Sequence, residues 1–262
     1  MAGLICSGMS ENSTGVRVLI VDDDAIMGEL LDALLTAEGY RVTHAVSGEE
    51  ALHLARRSEL KPDIILCDIQ MPGMRGGELA EALTAMRANG TLPAASVILA
   101  MSGSSPQPDE LRSFDGLLRK PFSVADFVEA VEEARTKSAN RFSVEIEQSV
   151  AKDLTHRPPL DDKIFEQLKS KVGMDVLRQM YEMTLEDVRA RLGRIATAAE
   201  AGDKAVVRHE AHTIKGSCGM MGALELQALA AATEGGSPVD TSALADFDSA
   251  CQRLQRMLNE RL

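Results

Sequence analysis

The chain has no tryptophan, only 3% aromatic residues, and no long uninterrupted run of apolar residues. A membrane-spanning helix needs about 20 predominantly apolar residues, and no hydrophobic run approaches that length. Residues 1–15 are rich in serine and glycine and lack a basic start. We therefore expect a flexible N-terminal tail rather than a signal peptide.

Basic residues are also in deficit, because 28 Lys and Arg face 40 Asp and Glu, for a net charge of −12. Nucleic-acid backbones and anionic lipid surfaces attract a basic footprint, so we expect neither a nucleic-acid nor a membrane partner. Cysteines are few and lack the spacing of a metal site: Cys6, Cys67, Cys218 and Cys251. Buried reduced thiols and a cytoplasmic location are the simplest expectation.

Five strand-like apolar runs alternate with helical patterns between residues 16 and 138. This alternation predicts an α/β domain with a doubly wound, five-stranded parallel sheet covered by helices on both faces. The expected strands are 16–21, 41–46, 63–67, 96–101 and 116–118. The expected helices are 25–38, 48–58, 76–88 and 124–137.

The pattern changes after this region, which indicates a second domain. A polar stretch at 139–159 ends in Arg-Pro-Pro and is typical of a linker. From 160 to 262 only helical periodicity remains, which predicts an all-α helix bundle. Its expected helices are 161–171, 174–199, 204–220, 223–233 and 242–260.

Polar side chains follow the strands of the predicted sheet where the strands end. The carboxyl ends of parallel strands meet at one edge, so we expect these side chains to converge. Clustered carboxylates repel each other unless a hard cation such as Mg²⁺ binds them. A hydroxyl and an ammonium opposite could hold phosphoryl oxygens, so the set indicates phosphoryl transfer. Its members are Asp22, Asp23, Asp24, Asp68, Ser102 and Lys120.

Four segments of this region resemble a response-regulator receiver domain. They are Val-Asp-Asp-Asp at 21–24, Asp-Ile-Gln-Met-Pro-Gly at 68–73, Ser-Gly at 102–103 and Lys-Pro-Phe at 120–122. The resemblance covers most of 16–137 and implies that Asp68 accepts a phosphoryl group. It also implies a Mg²⁺ site formed by Asp22, Asp23, Asp68 and the backbone carbonyl of Gln70.

In the same comparison Ser102 occupies the switch-hydroxyl position, and Lys120 pairs with the phosphoryl group. Two features depart from the family. Leu117 stands where receivers usually carry an aromatic residue that changes rotamer. The interval between Ser102 and Lys120 contains two prolines and is about one helical turn shorter than usual. We therefore expect a short fourth helix near 109–113 and an altered output face there.

The second domain contains Ala-His-Thr-Ile-Lys-Gly-Ser-Cys-Gly-Met-Met-Gly at 211–222, within a long helical pattern. Each glycine inside a helix costs about 1 kcal/mol relative to alanine, so these glycines need another reason to be there. Helical spacing places His212, Lys215, Gly216 and Gly219 on one face. We expect an imidazole and an ammonium on an open surface that a bulky partner can approach.

This segment resembles a histidine phosphotransfer (HPt) domain, and the resemblance spans about 160–262. It implies that His212 carries a phosphoryl group on a ring nitrogen, that Lys215 steadies its charge, and that Gly216 opens the surface. His209, one turn earlier, is a competing acceptor, although no Lys-Gly pair follows it at the same offset.

The chain shows no nucleotide-binding loop and no kinase signature, so we do not expect it to phosphorylate itself from ATP. The leading hypothesis is a phosphorelay intermediate. A sensor histidine kinase would phosphorylate Asp68, the group would pass to His212 within or between chains, and a separate downstream receiver would take it.

Three alternatives remain open at this point. Asp68 could drain phosphate from His212 as a sink. The receiver could gate access to the HPt face, which would make the chain a phosphorylation-switched binding module. The Asp-x-Asp spacing of Asp22 and Asp24 also resembles haloacid-dehalogenase-like phosphatases, in which Asp22 would be the nucleophile.

Overall fold

The structure is a computed structural model that describes residues 15–57, 60–103, 106–137 and 158–262. Most of the expected tail and most of the expected linker lie outside the described residues. The chain divides into two compact units, Met1–Phe142 and Ser143–Leu262, which are described separately. None of the helices in the described ranges is long and apolar enough to cross a membrane.

The first unit contains five parallel strands in the order β2-β1-β3-β4-β5, which confirms the predicted doubly wound sheet. The strands are β1 Arg17–Val21, β2 Arg41–Ala45, β3 Ile64–Asp68, β4 Val97–Ser102 and β5 Gly116–Arg119. Four α-helices and one 3₁₀ helix connect and follow them: α1 Ala25–Ala37, α2 Gly48–Ala55, α3 Gly76–Ala88, the 3₁₀ helix Pro108–Leu111 and α4 Val124–Lys137.

The central strands β3 and β4 are covered on both of their faces. Every residue of β3 and β4 is buried, which accounts for their nearly continuous apolar sequences. The polar exceptions, Asp68 and Ser102, are the last residues of these two strands. Asp68 lies beside Met101 in the register of the sheet. The strands that build the core therefore also bring two polar side chains to the same edge.

In the described part of the connection between β4 and β5, the only helix is the 3₁₀ helix Pro108–Leu111, in agreement with the expected short helix. Helix α3 forms hydrogen bonds with the residues that follow the 3₁₀ helix. Thr84 Oγ1 donates to the Ser113 carbonyl at 3.2 Å, and Arg87 donates to both carboxylate oxygens of Asp115 at 2.6 and 3.1 Å. Asp115 also accepts from the Ile98 amide at 2.8 Å. These contacts hold the residues just before β5 in place, next to a 3₁₀ helix of one turn.

The second unit confirms the predicted helix bundle. Its helices are α5 Asp162–Val172, α6 Met174–Glu200, α7 Lys204–Met220, α8 Leu224–Glu234 and α9 Thr241–Arg261. Helix α7 packs against both α6 and α8. The Asp203 carboxylate caps its N-terminus by accepting from the amides of Ala205 and Val206 at 3.1 Å.

Gly222 ends α7 and brings α5 close to it. Its φ of +71° lies in the left-handed region, and its carbonyl accepts from the Asp161 amide at 2.8 Å. A Cβ at this position would lie 3.0 Å from Cβ of Ile164, so a side chain would press on α5. Tyr181 adds a second tie at this end, because its hydroxyl donates to the Met221 carbonyl at 2.7 Å.

Candidate functional site

The carboxyl edge of the sheet brings the predicted acidic side chains together. Asp22 follows β1 directly, and Asp68 ends the neighbouring β3. Asp22 is 1% exposed and Asp68 is 3% exposed, whereas Asp23 is half-buried. Carboxylate oxygens of all three lie within 4.8 Å of one another. We call these three carboxylates the acidic rim.

Lys120, which follows β5, reaches into the acidic rim from the other side. Its Nζ lies 2.7 Å from Asp68 Oδ2 and 2.8 Å from Asp22 Oδ2. The Lys120 side chain is 5% exposed, so these contacts form largely out of water. The Lys120 amide donates to the Ser102 carbonyl at 2.8 Å, which ties the position of the lysine to the end of β4.

Backbone amides hold the other oxygens of the two buried carboxylates. Asp22 Oδ1 accepts from the Asp24 amide at 2.9 Å, and Asp68 Oδ1 accepts from the Gln70 amide at 2.9 Å. Asp24 itself caps α1 by accepting from the Ile26 amide at 3.1 Å. Each buried carboxylate is therefore fixed through both of its oxygens. The Gln70 carbonyl stays a predicted metal ligand.

Burial and crowding shift the pKa values of the charged groups. Burial is the main reason that the pKa of Asp22 rises to about 7. Lys120 lowers it, and repulsion from Asp68 and Asp24 raises it further. Burial disfavours a charged Lys120, but Asp22 and Asp68 outweigh it and raise the pKa of the ammonium. The lysine therefore stays protonated, and the carboxylates still lack full compensation.

The donor set of the acidic rim suits a hard divalent cation. All three groups offer carboxylate oxygens, which Mg²⁺ prefers, and their repulsion favours a second positive charge beside Lys120. The half-buried Asp23 gives this cluster a side open to a ligand. The residues present therefore fit Mg²⁺.

Ser102 and Leu117 complete the positions named from the sequence. Ser102 is buried at the end of β4, beside Arg119 of β5 and one residue beyond the partner of Asp68. Leu117 pairs with Ala100 and packs against the core of the first unit, where it is half-buried. An aliphatic side chain therefore fills the space that the resemblance assigns to a mobile aromatic ring.

In the second unit, a carboxylate that the sequence did not reveal joins the two predicted side chains of α7. Glu234, the last residue of α8, has its Oε1 2.7 Å from His212 Nδ1 and its Oε2 2.5 Å from Lys215 Nζ. Burial works to raise the pKa of Glu234, but the hydrogen bonds from His212 and Lys215 outweigh it and lower that pKa. We call these three residues the His212 triad.

The partner of His212 fixes which ring nitrogen is available for chemistry. A carboxylate only accepts hydrogen bonds, so Nδ1 of His212 carries the hydrogen in this contact. Nε2 then keeps its lone pair in the neutral ring and is the nucleophilic nitrogen. Glu234 is placed to stabilise positive charge that develops on the imidazole.

The expected open surface around His212 is wrong. The His212 side chain is only 7% exposed, and Gly216 and Gly219 are buried. Helix α7 lies against both α6 and α8, and nearly all of its residues from Glu210 onward are buried. Lys215 is half-buried, and the alternative acceptor His209 is also half-buried.

A second ion-pair cluster fixes α7 against α6 just before His212. Glu210 Oε1 accepts from Arg194 Nε at 2.8 Å, and Oε2 accepts from Arg191 at 3.0 Å. Burial opposes the charge on Glu210, but the two arginines outweigh it and lower the pKa of the carboxyl. Because Glu210 lies two residues before His212, the cluster holds the register of the helix that presents the imidazole.

Family comparisons divide the chain as the structure does. Residues 18–132 match the response regulator receiver domain, and residues 179–261 match the Hpt domain. The acidic rim lies in the first match. The His212 triad lies in the second.

Similar proteins come from bacterial signalling. The sensor histidine kinase AruS of Pseudomonas aeruginosa is 30% identical over 220 residues, which are 82% of this chain but 20% of AruS. The DNA-binding response regulator MtrA of Mycobacterium tuberculosis is 32% identical over 119 residues, 44% of this chain and 48% of MtrA. The chain thus spans half or less of these relatives.

Among solved structures, the chemotaxis response regulator CheY4 of Vibrio cholerae is 27% identical and covers 46% of this chain and 99% of its own, with a TM-score of 0.39. The receiver domain of a Pseudomonas aeruginosa PAO1 sensor histidine kinase, solved with a magnesium ion in its active-site cleft, is 25% identical. It covers 47% of this chain and 99% of its own, with a TM-score of 0.40. By its two family matches, the chain contains a response regulator receiver domain followed by an Hpt domain, the domain types of a two-component phosphorelay.

Proposed function

We propose that the chain is a two-station phosphoryl carrier that accepts the group on Asp68 and passes it on through His212. A sensor histidine kinase is the proposed donor, and the receiver of a separate response regulator is the proposed final acceptor. The observation that carries the first station is the contact of Lys120 with both buried carboxylates of the acidic rim. The similarity to AruS, itself a sensor histidine kinase, supports a donor of that class.

At the first station, an oxygen of Asp68 attacks the phosphorus of a phosphohistidine. A P–O bond forms, the P–N bond breaks, and its electron pair returns to the imidazole of the donor. Lys120 neutralises part of the phosphoryl charge, and the hydroxyl of Ser102 donates to a phosphoryl oxygen. Mg²⁺ held by Asp22, Asp23, Asp68 and the Gln70 carbonyl would add positive charge against the same oxygens.

At the second station, Nε2 of His212 attacks the phosphorus of the acyl phosphate on Asp68. The P–O bond breaks, its electron pair returns to the Asp68 carboxylate, and a P–N bond forms. The imidazole gains positive charge, which Glu234 balances through Nδ1. Lys215, whose ammonium contacts Glu234, would exchange that contact for one with the new phosphoryl group. We place these steps in the cytoplasm, since Cys67, Cys218 and Cys251 are reduced thiols.

Gating of the second station is a second candidate function, because His212 is only 7% exposed. In this version the phosphorylation state of Asp68 controls whether a partner can reach the imidazole. The chain then acts as a switched binding module, and transfer between its own two stations is not required.

The relay predicts an ordered loss of label in two variants. With a cognate histidine kinase, Mg²⁺ and radiolabelled ATP, Asp68→Ala should abolish labelling, because the first acceptor is gone. His212→Ala should keep the alkali-labile acyl phosphate on Asp68 and block its passage to a downstream receiver. His209→Ala, one turn earlier on α7, is the matched control and should behave like the wild type. Label that reaches a downstream receiver from the His212→Ala variant would contradict the relay.

The raised pKa of Asp22 predicts an unusual dependence of stability on pH. Between about pH 4 and pH 7 the folded protein holds a proton on Asp22 that the unfolded chain releases, so this group lowers the free energy of unfolding as pH rises. Asp22→Asn should therefore raise the thermal midpoint of the metal-free first unit at pH 8, and hardly change it at pH 4.

Magnesium provides the control for this comparison. Saturating Mg²⁺ should stabilise the wild type more than the Asp22→Asn variant, because the variant lacks one ligand charge. Scanning calorimetry at both pH values, with and without Mg²⁺, measures the four midpoints. An Asp22→Asn variant that is less stable than the wild type at pH 8 without metal would rule out this account of the acidic rim.

The charge of Glu234 should affect the phosphorylation of His212 and not that of Asp68. Glu234→Gln keeps an oxygen acceptor near Nδ1 but removes the negative charge, so phosphorylation of His212 should slow by about tenfold or more. Labelling of Asp68 by the kinase should not change. Glu225→Gln on the same helix is the matched control, because Glu225 pairs with Arg253 instead. Equal rates for the two variants in a rapid-quench transfer assay would refute the role of Glu234.

The gating candidate predicts that the reactivity of His212 depends on Asp68. Beryllofluoride mimics a phosphoryl group on a receiver aspartate, so its addition should raise the rate at which diethyl pyrocarbonate modifies His212. The Asp68→Ala variant should show no increase. Peptide mass spectrometry resolves His212 from His209. A rate that does not respond to beryllofluoride in the wild type would exclude the gate and leave the relay.

A further inference from the structure

A histidine outside the acidic rim contacts the backbone of one of its members. His44 lies on β2 beside Ile20 of β1, and its Nε2 is 2.9 Å from the carbonyl oxygen of Asp22. A carbonyl only accepts hydrogen bonds, so Nε2 of His44 is the donor. The imidazole is therefore hydrogen-bonded to the peptide group that joins Asp22 to Asp23.

Helix α1 makes room for this ring at Gly28. A Cβ on Gly28 would lie 2.2 Å from Cε1 of His44 and 2.4 Å from its Nδ1, much closer than any side chain can approach. The imidazole thus lies directly against the bare backbone of α1. A glycine inside a helix costs about 1 kcal/mol relative to alanine, and here it leaves the space that the ring occupies.

Strand β2 forms hydrogen bonds with the backbone of Asp22 on both sides of its α-carbon. The Asp22 amide donates to the Ala45 carbonyl at 3.1 Å, while its own carbonyl accepts from His44. Asp24 follows, with its amide bonded to the Asp22 carboxylate at 2.9 Å and its carbonyl accepting from the Gly28 amide at 2.9 Å. The turn that carries Asp22 and Asp23 is thereby fixed between β2 and the start of α1.

We propose that His44, packed against Gly28, is a positioning residue for divalent-cation binding at the acidic rim. The inference rests on the proposed function, which assigns a cation to Asp22 and Asp23. These carboxylates repel Asp68 in the absence of a cation, so their turn needs an external tie to stay in a binding geometry. A ligand turn that is held in advance loses less freedom on binding, and the affinity rises accordingly.

Calorimetric titration of the full chain with Mg²⁺ tests the role of the donor. His44→Ala should weaken Mg²⁺ binding by about tenfold, the lower end of the effects seen when groups that support a metal ligand are lost. His44→Gln keeps an N–H donor of similar reach and should recover most of the affinity. Thr43→Ala, on the opposite face of the same strand, is the matched control and should bind as the wild type does.

A double variant tests whether Gly28 provides the space for the imidazole of His44. Gly28→Ala should push the imidazole away from the Asp22 carbonyl and weaken Mg²⁺ binding as much as His44→Ala does. Because no ring remains to clash, Gly28→Ala should cost no further affinity in the His44→Ala background. This non-additivity is the expected signature of a ring held between α1 and the turn.

Other results would contradict the proposed role of His44. If His44→Ala and Gly28→Ala only lower the unfolding temperature and leave the Mg²⁺ affinity unchanged, His44 is a packing residue. If His44→Gln binds Mg²⁺ as weakly as His44→Ala, the donor has no role. If the wild-type chain takes up no Mg²⁺, the proposed magnesium-dependent function fails first and this inference falls with it. Should Gly28→Ala not fold, the comparison of His44→Ala with His44→Gln still decides the role of the donor.

Discussion

The first station depends on one buried ammonium between two buried carboxylates. The parallel sheet forces Asp22 and Asp68 together, because β1 and β3 are neighbours and end at the same edge. Burial alone would make two such charges unfavourable, and Lys120 offsets part of the cost by contacting both. The remaining excess of negative charge favours a divalent cation, and in the proposed relay its neutralisation would allow a phosphoryl group to approach.

The second station inverts this arrangement of charges. Glu234 is a single carboxylate between an imidazole and an ammonium, whereas Lys120 is a single ammonium between two carboxylates. The inversion follows from the charge that each acceptor must tolerate. In the proposed relay, Asp68 would react as an anion and need cations around it, while His212 would become cationic and need an anion at Nδ1. In both units one central residue contacts the proposed acceptor side chain and sets the charge around it.

The parts of the site that follow from local rules could be predicted from the sequence. Strand ends in a parallel sheet converge, so the acidic rim and Lys120 could be named from their positions after apolar runs. Glu234 could not be found in this way, because it meets His212 through the packing of α8 on α7 and lies 22 residues away in the sequence. The burial of Gly216 and Gly219 was missed for the same reason, since helical spacing defines a face but not what covers it.

The contacts of Asp68 also indicate how phosphorylation would be felt beyond the acidic rim. Both of its oxygens are occupied, Oδ1 by the Gln70 amide and Oδ2 by Lys120. An oxygen that forms a bond to phosphorus loses most of its strength as an acceptor, so one of these two partners has to find a phosphoryl oxygen instead. If Lys120 moves, its amide carries the change to the carbonyl of Ser102, to which it is bonded. With Leu117 rather than an aromatic ring behind this strand end, such a change would pass through the backbone of β4 and β5 more than through a side-chain rotation.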